Sequence, residues 1–249
     1  MKNLLFILML SFLVGACGND DDNTPAEVAV SLKFSQTFDN TPFTDSDISA
    51  TVYTNEMGHE LTISRLRYLI SKMVLKNSAG EMFPIGEYHL TDVSNATTLL
   101  LNTNASVPEG TYTLSFVYGF NEENNTDGAY PDLNSVSWNW PLTLGGGYHF
   151  LQMDGNYNVN TDPAPFNFHN GTARVSEGDF EQNFVQVDLT NSLLIENGDV
   201  IEIKMDIAEW FTNPNTWDFN VYSTNLMPNY EAQKLMQENA ATVFSASVE

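Results

Sequence analysis

Apolar side chains recur at every second position in four separate segments of this 249-residue chain, and that period leaves little choice of fold. Val28, Val30, Leu32 and Phe34 alternate with Ala29, Ser31, Lys33 and Ser35. Tyr112, Leu114, Phe116 and Tyr118 repeat the pattern, as do Val185, Val187 and Leu189, and then Ile201, Ile203, Met205 and Ile207. Successive side chains of a strand point to opposite faces, so this period describes strands with one face in a core and the other in water. Many such strands joined by polar turns predict an all-β protein, a Greek-key β-sandwich. Asn197-Gly198 follows the apolar run Leu193–Ile195 and predicts a hairpin into the strand at 201–207, because Asn-Gly tolerates the positive φ of tight hairpin turns.

One segment reads two ways. Leu66, Leu69, Ile70, Met73 and Val74 have helical spacing, yet Arg65–Lys76 is rich in Tyr, Ile, Leu and Val and runs into the turn-like Asn77-Ser78-Ala79-Gly80. A short C-terminal helix is expected after Pro228, with Ala232, Leu235, Met236 and Val243 on an apolar face and Glu231, Gln233, Lys234 and Gln237 in solvent. Asn121–Asn134 and Asp154–Asp162 read as long loops, where function tends to sit on a β scaffold. Gly145-Gly146-Gly147 predicts a tight bend before a strand at 148–153.

The N-terminus sets the expected location. A positive start at Met1-Lys2-Asn3 leads into the apolar run Leu4–Val14, too short for the roughly 20 residues a membrane span needs. It reads as a secretory signal. Val14-Gly15-Ala16-Cys17 resembles a bacterial lipobox, which implies a signal peptide over 1–16, acylation of Cys17, and an outer-membrane partner in the lipid bilayer. The run Gly18-Asn19-Asp20-Asp21-Asp22 resembles the surface-export signal of Bacteroidetes lipoproteins, so 17–27 is an acidic tether and 28–249 a single folded domain. The expected location is the outer membrane, surface-exposed and extracytoplasmic.

Composition removes several functions. Nine Lys and Arg against 32 Asp and Glu give a net charge of −23, which repels nucleic acid. One Cys excludes a disulfide framework and thiolate metal sites. There is no His-Glu-x-x-His, no Gly-x-Ser-x-Gly and no phosphate-binding Gly-x-x-x-x-Gly-Lys. No spacing supports an enzyme. Four histidines remain, His59, His89, His149 and His169, and any site must bring them together from distant segments. Acidic loops leave calcium possible at Asp127, Asp132, Asp154 and Asp162, although no stretch follows a calcium-loop pattern.

Several phrases occur in a fixed order: Arg67-Tyr68-Leu69-Ile70-Ser71-Lys72, Glu87-Tyr88-His89-Leu90-Thr91-Asp92, Gly110-Thr111-Tyr112, Ser137-Trp138-Asn139-Trp140, Gly147-Tyr148-His149-Phe150, Met153-Asp154-Gly155 and Phe166-Asn167-Phe168-His169-Asn170-Gly171. Together they resemble the MbnP-like, methanobactin-associated family, in its Bacteroidetes lipoprotein branch, over about residues 28–245. The resemblance implies a β-sandwich, which makes Arg65–Lys76 a strand. It implies copper held by two histidines, a tryptophan oxidised to kynurenine as a further ligand, and a diheme peroxidase-like partner. Carried over by motif, His89 and His169 are the expected metal ligands, with His149 third. Imidazole suits copper, and Asp92 is a candidate to orient His89. Trp138 and Trp140 share one face of an extended segment, but no Trp adjoins His89 or His169 in sequence. The expected function is non-enzymatic copper binding. The alternative is a metal-free module for a glycan or protein, with Tyr130, Trp138, Trp140, Trp210, Trp217 and Tyr222 as an aromatic platform.

Overall fold

The computed structural model describes residues 25–249, so the signal peptide and Cys17 lie outside the described residues. In chain order the elements are β1 (Glu27–Phe38), β2 (Thr41–Phe43), β3 (Tyr53–Thr54), β4 (Glu60–Asn77), β5 (Met82–Asp92), β6 (Leu100–Pro108) and β7 (Gly110–Tyr118). There follow α1 (Pro131–Ser135), β8 (Leu151–Tyr157), β9 (Ala164–Asn170), β10 (Ala173–Ser176) and β11 (Asp179–Glu181). The chain closes with β12 (Val185–Asp188), β13 (Leu193–Ile195), β14 (Ile201–Asp206), α2 (Tyr230–Ala240) and β15 (Phe244–Val248). Among the described residues no helix is long and apolar enough to cross a membrane.

Two sheets make an all-β sandwich. The smaller runs β15-β14-β1-β2, with β6 also on β1, and its β1–β14 pair is parallel. The larger has the order β12-β7-β4-β8-β9, with β3, β5 and β13 added to its central strands. The alternating residues of β1, β7 and β14 are the buried ones, as period 2 requires. Between the sheets, Phe244 meets Tyr68, Phe116 and Tyr118, and Gln36 Nε2 on β1 donates to Tyr68 Oη at 2.9 Å.

The ambiguous segment is the strand β4. Its alternation is lost for a physical reason: Tyr68, Leu69, Ile70 and Ser71 are all buried, because this stretch is central and covered on both faces. A bulge follows, with a register shift between Ser71 and Val74 and Lys72 at φ 49°. Covered faces plus one extra residue imitate helical spacing.

Three expectations are corrected. The Asn197-Gly198 hairpin does not form: β13 pairs with β7 in the larger sheet, whereas β14 pairs with β1 and β15 in the smaller one. Gly198 has φ 95° but Asn197 is not at positive φ, so the link is a crossing between sheets and not the turn that joins paired strands. Gln233, placed in solvent by helical periodicity, is fully buried. Asp154 is not in a loop, since β8 continues through it to Tyr157.

Candidate functional site

Parity along the strands decides which polar side chains can meet. The inner row of the larger sheet is Thr91–Tyr68–Leu151–Asn170, across β5, β4, β8 and β9. The next row, Asp92–Arg67–Gln152–His169, therefore points to the outer face. A second outer row, Arg65–Asp154–Asn167, lies alongside.

A lid covers this polar face. Gly145, Gly146 and Gly147 all have positive φ, bending the chain so that Asn139 bridges Tyr148 in antiparallel fashion. At Gly147 a Cβ would lie 2.3 Å from Asn125 Oδ1, the acceptor for Tyr148 N, so a larger residue there would lose the bend. The bridge brackets His149 between two indoles. Its ring lies 5.5 Å from Trp138 and 4.9 Å from Trp140, centroid to centroid. Trp138 covers the Arg67 guanidinium at 4.9 Å, and its indole N–H is buried with no hydrogen-bond partner. Trp140 lies over Gly171, where a Cβ would approach the indole to 2.6 Å.

His169 rises from β9 to meet His149, with ring centroids 5.4 Å apart. Its Nε2 is 2.8 Å from Asp154 Oδ1, which also accepts from Asn167 Nδ2 at 2.7 Å. Arg65 Nε stands 3.3 Å from Asp154 Oδ2. His149 Nδ1 is 3.1 Å from the Trp138 carbonyl. Each of these two ring nitrogens faces an oxygen that can only accept, so each carries the proton. In the neutral form of each ring, Nδ1 of His169 and Nε2 of His149 keep the lone pair.

Burial, then the nearby His169 and Arg67, push the His149 pKa down to about 3 against the pull of the Trp138 and Asn139 carbonyls. That ring is neutral at pH 7. For Asp154 burial acts upward, but hydrogen bonds from His169 and Asn167 and the charges of His169 and Arg65 bring it below the usual carboxylate value. The site thus holds an anion that orients one imidazole and a second imidazole that stays unprotonated.

His89 is elsewhere. It pairs with Ile70, on the inner side of the sheet, and its ring stacks on Phe34 of β1 at 4.5 Å. Its Nε2 is 2.7 Å from the Thr98 carbonyl, and burial, partly offset by that carbonyl, lowers its pKa. The structure does not bring His89 to His169: the two project from opposite faces of one sheet. Asp92, three residues along the same strand, likewise points away from His89 and toward Arg67, with Nε to Oδ2 at 3.3 Å. His149, Trp138 and Trp140 are what the fold gathers around His169. His59 is buried between Asn55 and Asn220 and joins no other histidine of the site.

The acids suggested for calcium do not converge. Asp132 accepts from Tyr88 Oη at 2.8 Å and Asp154 serves His169. Among the described residues no three or more His, Cys, Asp and Glu side chains are grouped to hold a metal. The aromatic platform does not form at the surface, since Trp138, Trp140, Trp210 and Trp217 are all buried.

Asp154, Arg67 and Gln152 were not separable by sequence from other polar strand residues. Their common face needs the register of three strand pairs. Gln233 left no signal at all. Its Nε2 donates to the His169 carbonyl at 2.7 Å and its Oε1 accepts from Asn170 Nδ2 and Gly171 N at 3.0 and 3.2 Å, pinning the end of β9 to α2.

Two comparisons place this architecture. The sequence profile of the MbnP family matches residues 27–230. The solved structure of MbnP from Methylosinus trichosporium is similar, with a TM-score of 0.57 at 12% identity, covering 90% of this chain and 99% of that one. At that identity the likeness shows the sandwich fold. No curated protein matches the sequence.

Proposed function

Because the chain belongs to the MbnP family, we propose that it is a non-enzymatic copper-binding protein whose metal is taken by His149 and His169. The observation that carries this reading is the His149–His169 pair, 5.4 Å between centroids, each ring with one nitrogen fixed to oxygen and the other left as a donor. Neutral imidazoles suit copper in either oxidation state, and an Asp–His contact such as Asp154–His169 raises the basicity of the ligating ring. Since no three His, Cys, Asp or Glu side chains among the described residues are grouped to hold a metal, a further donor falls to the indoles beside His149. Trp138 suits oxidation to a kynurenine amine best, since its indole N–H is the one without a partner. A diheme peroxidase-like partner would supply that oxidation, and acylated Cys17 would hold the protein at the outer-membrane surface.

The test is copper stoichiometry in the purified protein. The chain is expected to take up one copper, to keep it in His89→Ala, and to lose it in His149→Ala/His169→Ala. No uptake, or equal uptake by the double variant, would overturn the assignment. The intact mass of protein from its native host reports tryptophan oxidation separately, as a gain of one oxygen and loss of one carbon.

A further inference from the structure

Beside the histidine pair the outer face opens into a cleft of about 400 Å³ lined by Arg65, Arg67, Asp92, Ser64, Ser94 and Ser137. The chain has three arginines in all, Arg65, Arg67 and Arg174, and two of them stand in this cleft on one strand, two residues and about 6.6 Å apart. In a protein of net charge −23 this is a local concentration of guanidinium groups, each with one carboxylate 3.3 Å from its Nε, Asp154 for Arg65 and Asp92 for Arg67.

Arg67 is underused for a buried cation. Its NH1 reaches Gln152 Oε1 and its NH2 the Val136 carbonyl, each only at 3.4 Å. Its Nε is buried without an aligned hydrogen bond, although Asp92 Oδ2 is 3.3 Å away. Asp92 is drawn elsewhere, because its Oδ1 accepts from both the backbone N and the Oγ of Ser94, at 3.0 and 2.6 Å. Arg65 spends only its Nε edge on Asp154, and its side chain is half exposed. A guanidinium carries five N–H donors in a planar fork that matches carboxylate and phosphate oxygens. Ser137, which lines the same cleft, is held at φ 57° in the left-handed region.

We propose that this cleft binds a small oxyanion, a carboxylate or phosphate group held between the Arg65 and Arg67 forks with Ser64 and Ser137 as further donors. None of these groups is itself assigned to the metal, although Arg67 packs on Trp138 and Arg65 pairs with Asp154.

The experiment is calorimetric titration of the EDTA-treated, copper-free protein with citrate and, separately, with inorganic phosphate, at constant ionic strength. Saturable one-to-one binding is expected for at least one of them. Citrate alone binding identifies the carboxylate source, phosphate alone the phosphoryl source, and either supports the site. Arg65→Gln is expected to weaken binding about tenfold or more, the usual loss for a charge-assisted pair, and its half-exposed side chain keeps folding out of question. Arg67→Lys, which keeps the charge and loses the fork, should weaken it comparably while far-UV circular dichroism stays native. Unsaturable heats with both anions, or affinity unchanged in Arg65→Gln, would overturn the proposal.

Discussion

Gln233→Ala is expected to be among the most damaging single changes in this protein, although it lies on a short helix and removes only a polar side chain. The residue is fully buried, and its amide makes four contacts with backbone and side-chain groups. Nε2 donates to the His169 and Leu226 carbonyls at 2.7 and 3.1 Å, while Oε1 accepts from Asn170 Nδ2 at 3.0 Å and Gly171 N at 3.2 Å. Alanine leaves all four without that partner, and a buried group so stranded costs about 1–3 kcal/mol. Water entering the vacated volume would satisfy some of them, so the net loss is expected near 3–5 kcal/mol, a large part of a typical domain's stability. The assay is equilibrium urea unfolding followed by tryptophan fluorescence, with Gln186→Ala, on an exposed strand position, as the reference at under about 0.5 kcal/mol. Gln233→Met, similar in length and without the amide, should lose nearly as much as alanine. If Gln233→Ala costs less than about 1 kcal/mol, or methionine restores wild-type stability, hydrogen bonding is not what locks α2 to the end of β9.

Stability should fall as pH drops from 6.5 toward 3, because His149, at about 3 in the fold against 6.5 when unfolded, leaves the unfolded chain binding the extra proton. At pH 5 this group alone should cost about 2 kcal/mol relative to pH 8, and His149→Phe should flatten that part of a urea-midpoint profile. Asp154, held below its usual value, acts in a lower window: its contribution is present above about pH 4 and is lost on further acidification. Gly171→Ala should drive a methyl into the Trp140 indole, costing about 1–3 kcal/mol and altering the near-ultraviolet circular dichroism, whereas an unchanged spectrum would refute the close approach. Gly155→Ala should be worse, since its Cβ would sit 2.0 Å from the Thr62 carbonyl of the paired strand, and soluble expression with a wild-type melting temperature would refute the packing of β4 on β8.

What the sequence discloses about the site follows from how strands carry information. Alternation is local, so the buried faces of β1, β7 and β14 were legible residue by residue. Parity is local too: once 82–92 is a strand, the odd spacing of His89 and Asp92 already puts them on opposite faces and argues against their acting together. Register is not local. That Arg67 faces Asp92 on one side and Gln152 on the other, with His169 beyond, depends on three strand pairings that no spacing in the chain encodes. His149 is an intermediate case. Its flanking Trp138 and Trp140 are legible as a same-face pair, and the three glycines before Tyr148 as a bend, but only their combination folds the indoles back onto the imidazole. The family motif alone ranks His89 above His149. In the fold it is His149 that stands beside His169, because the lid, and not the strand bearing His89, covers the face from which His169 projects. On the proposed assignment the His149–His169 pair is set by the face that the 141–147 bend covers, so a change in the length of that bend should lower copper uptake more than a change in either strand beneath it.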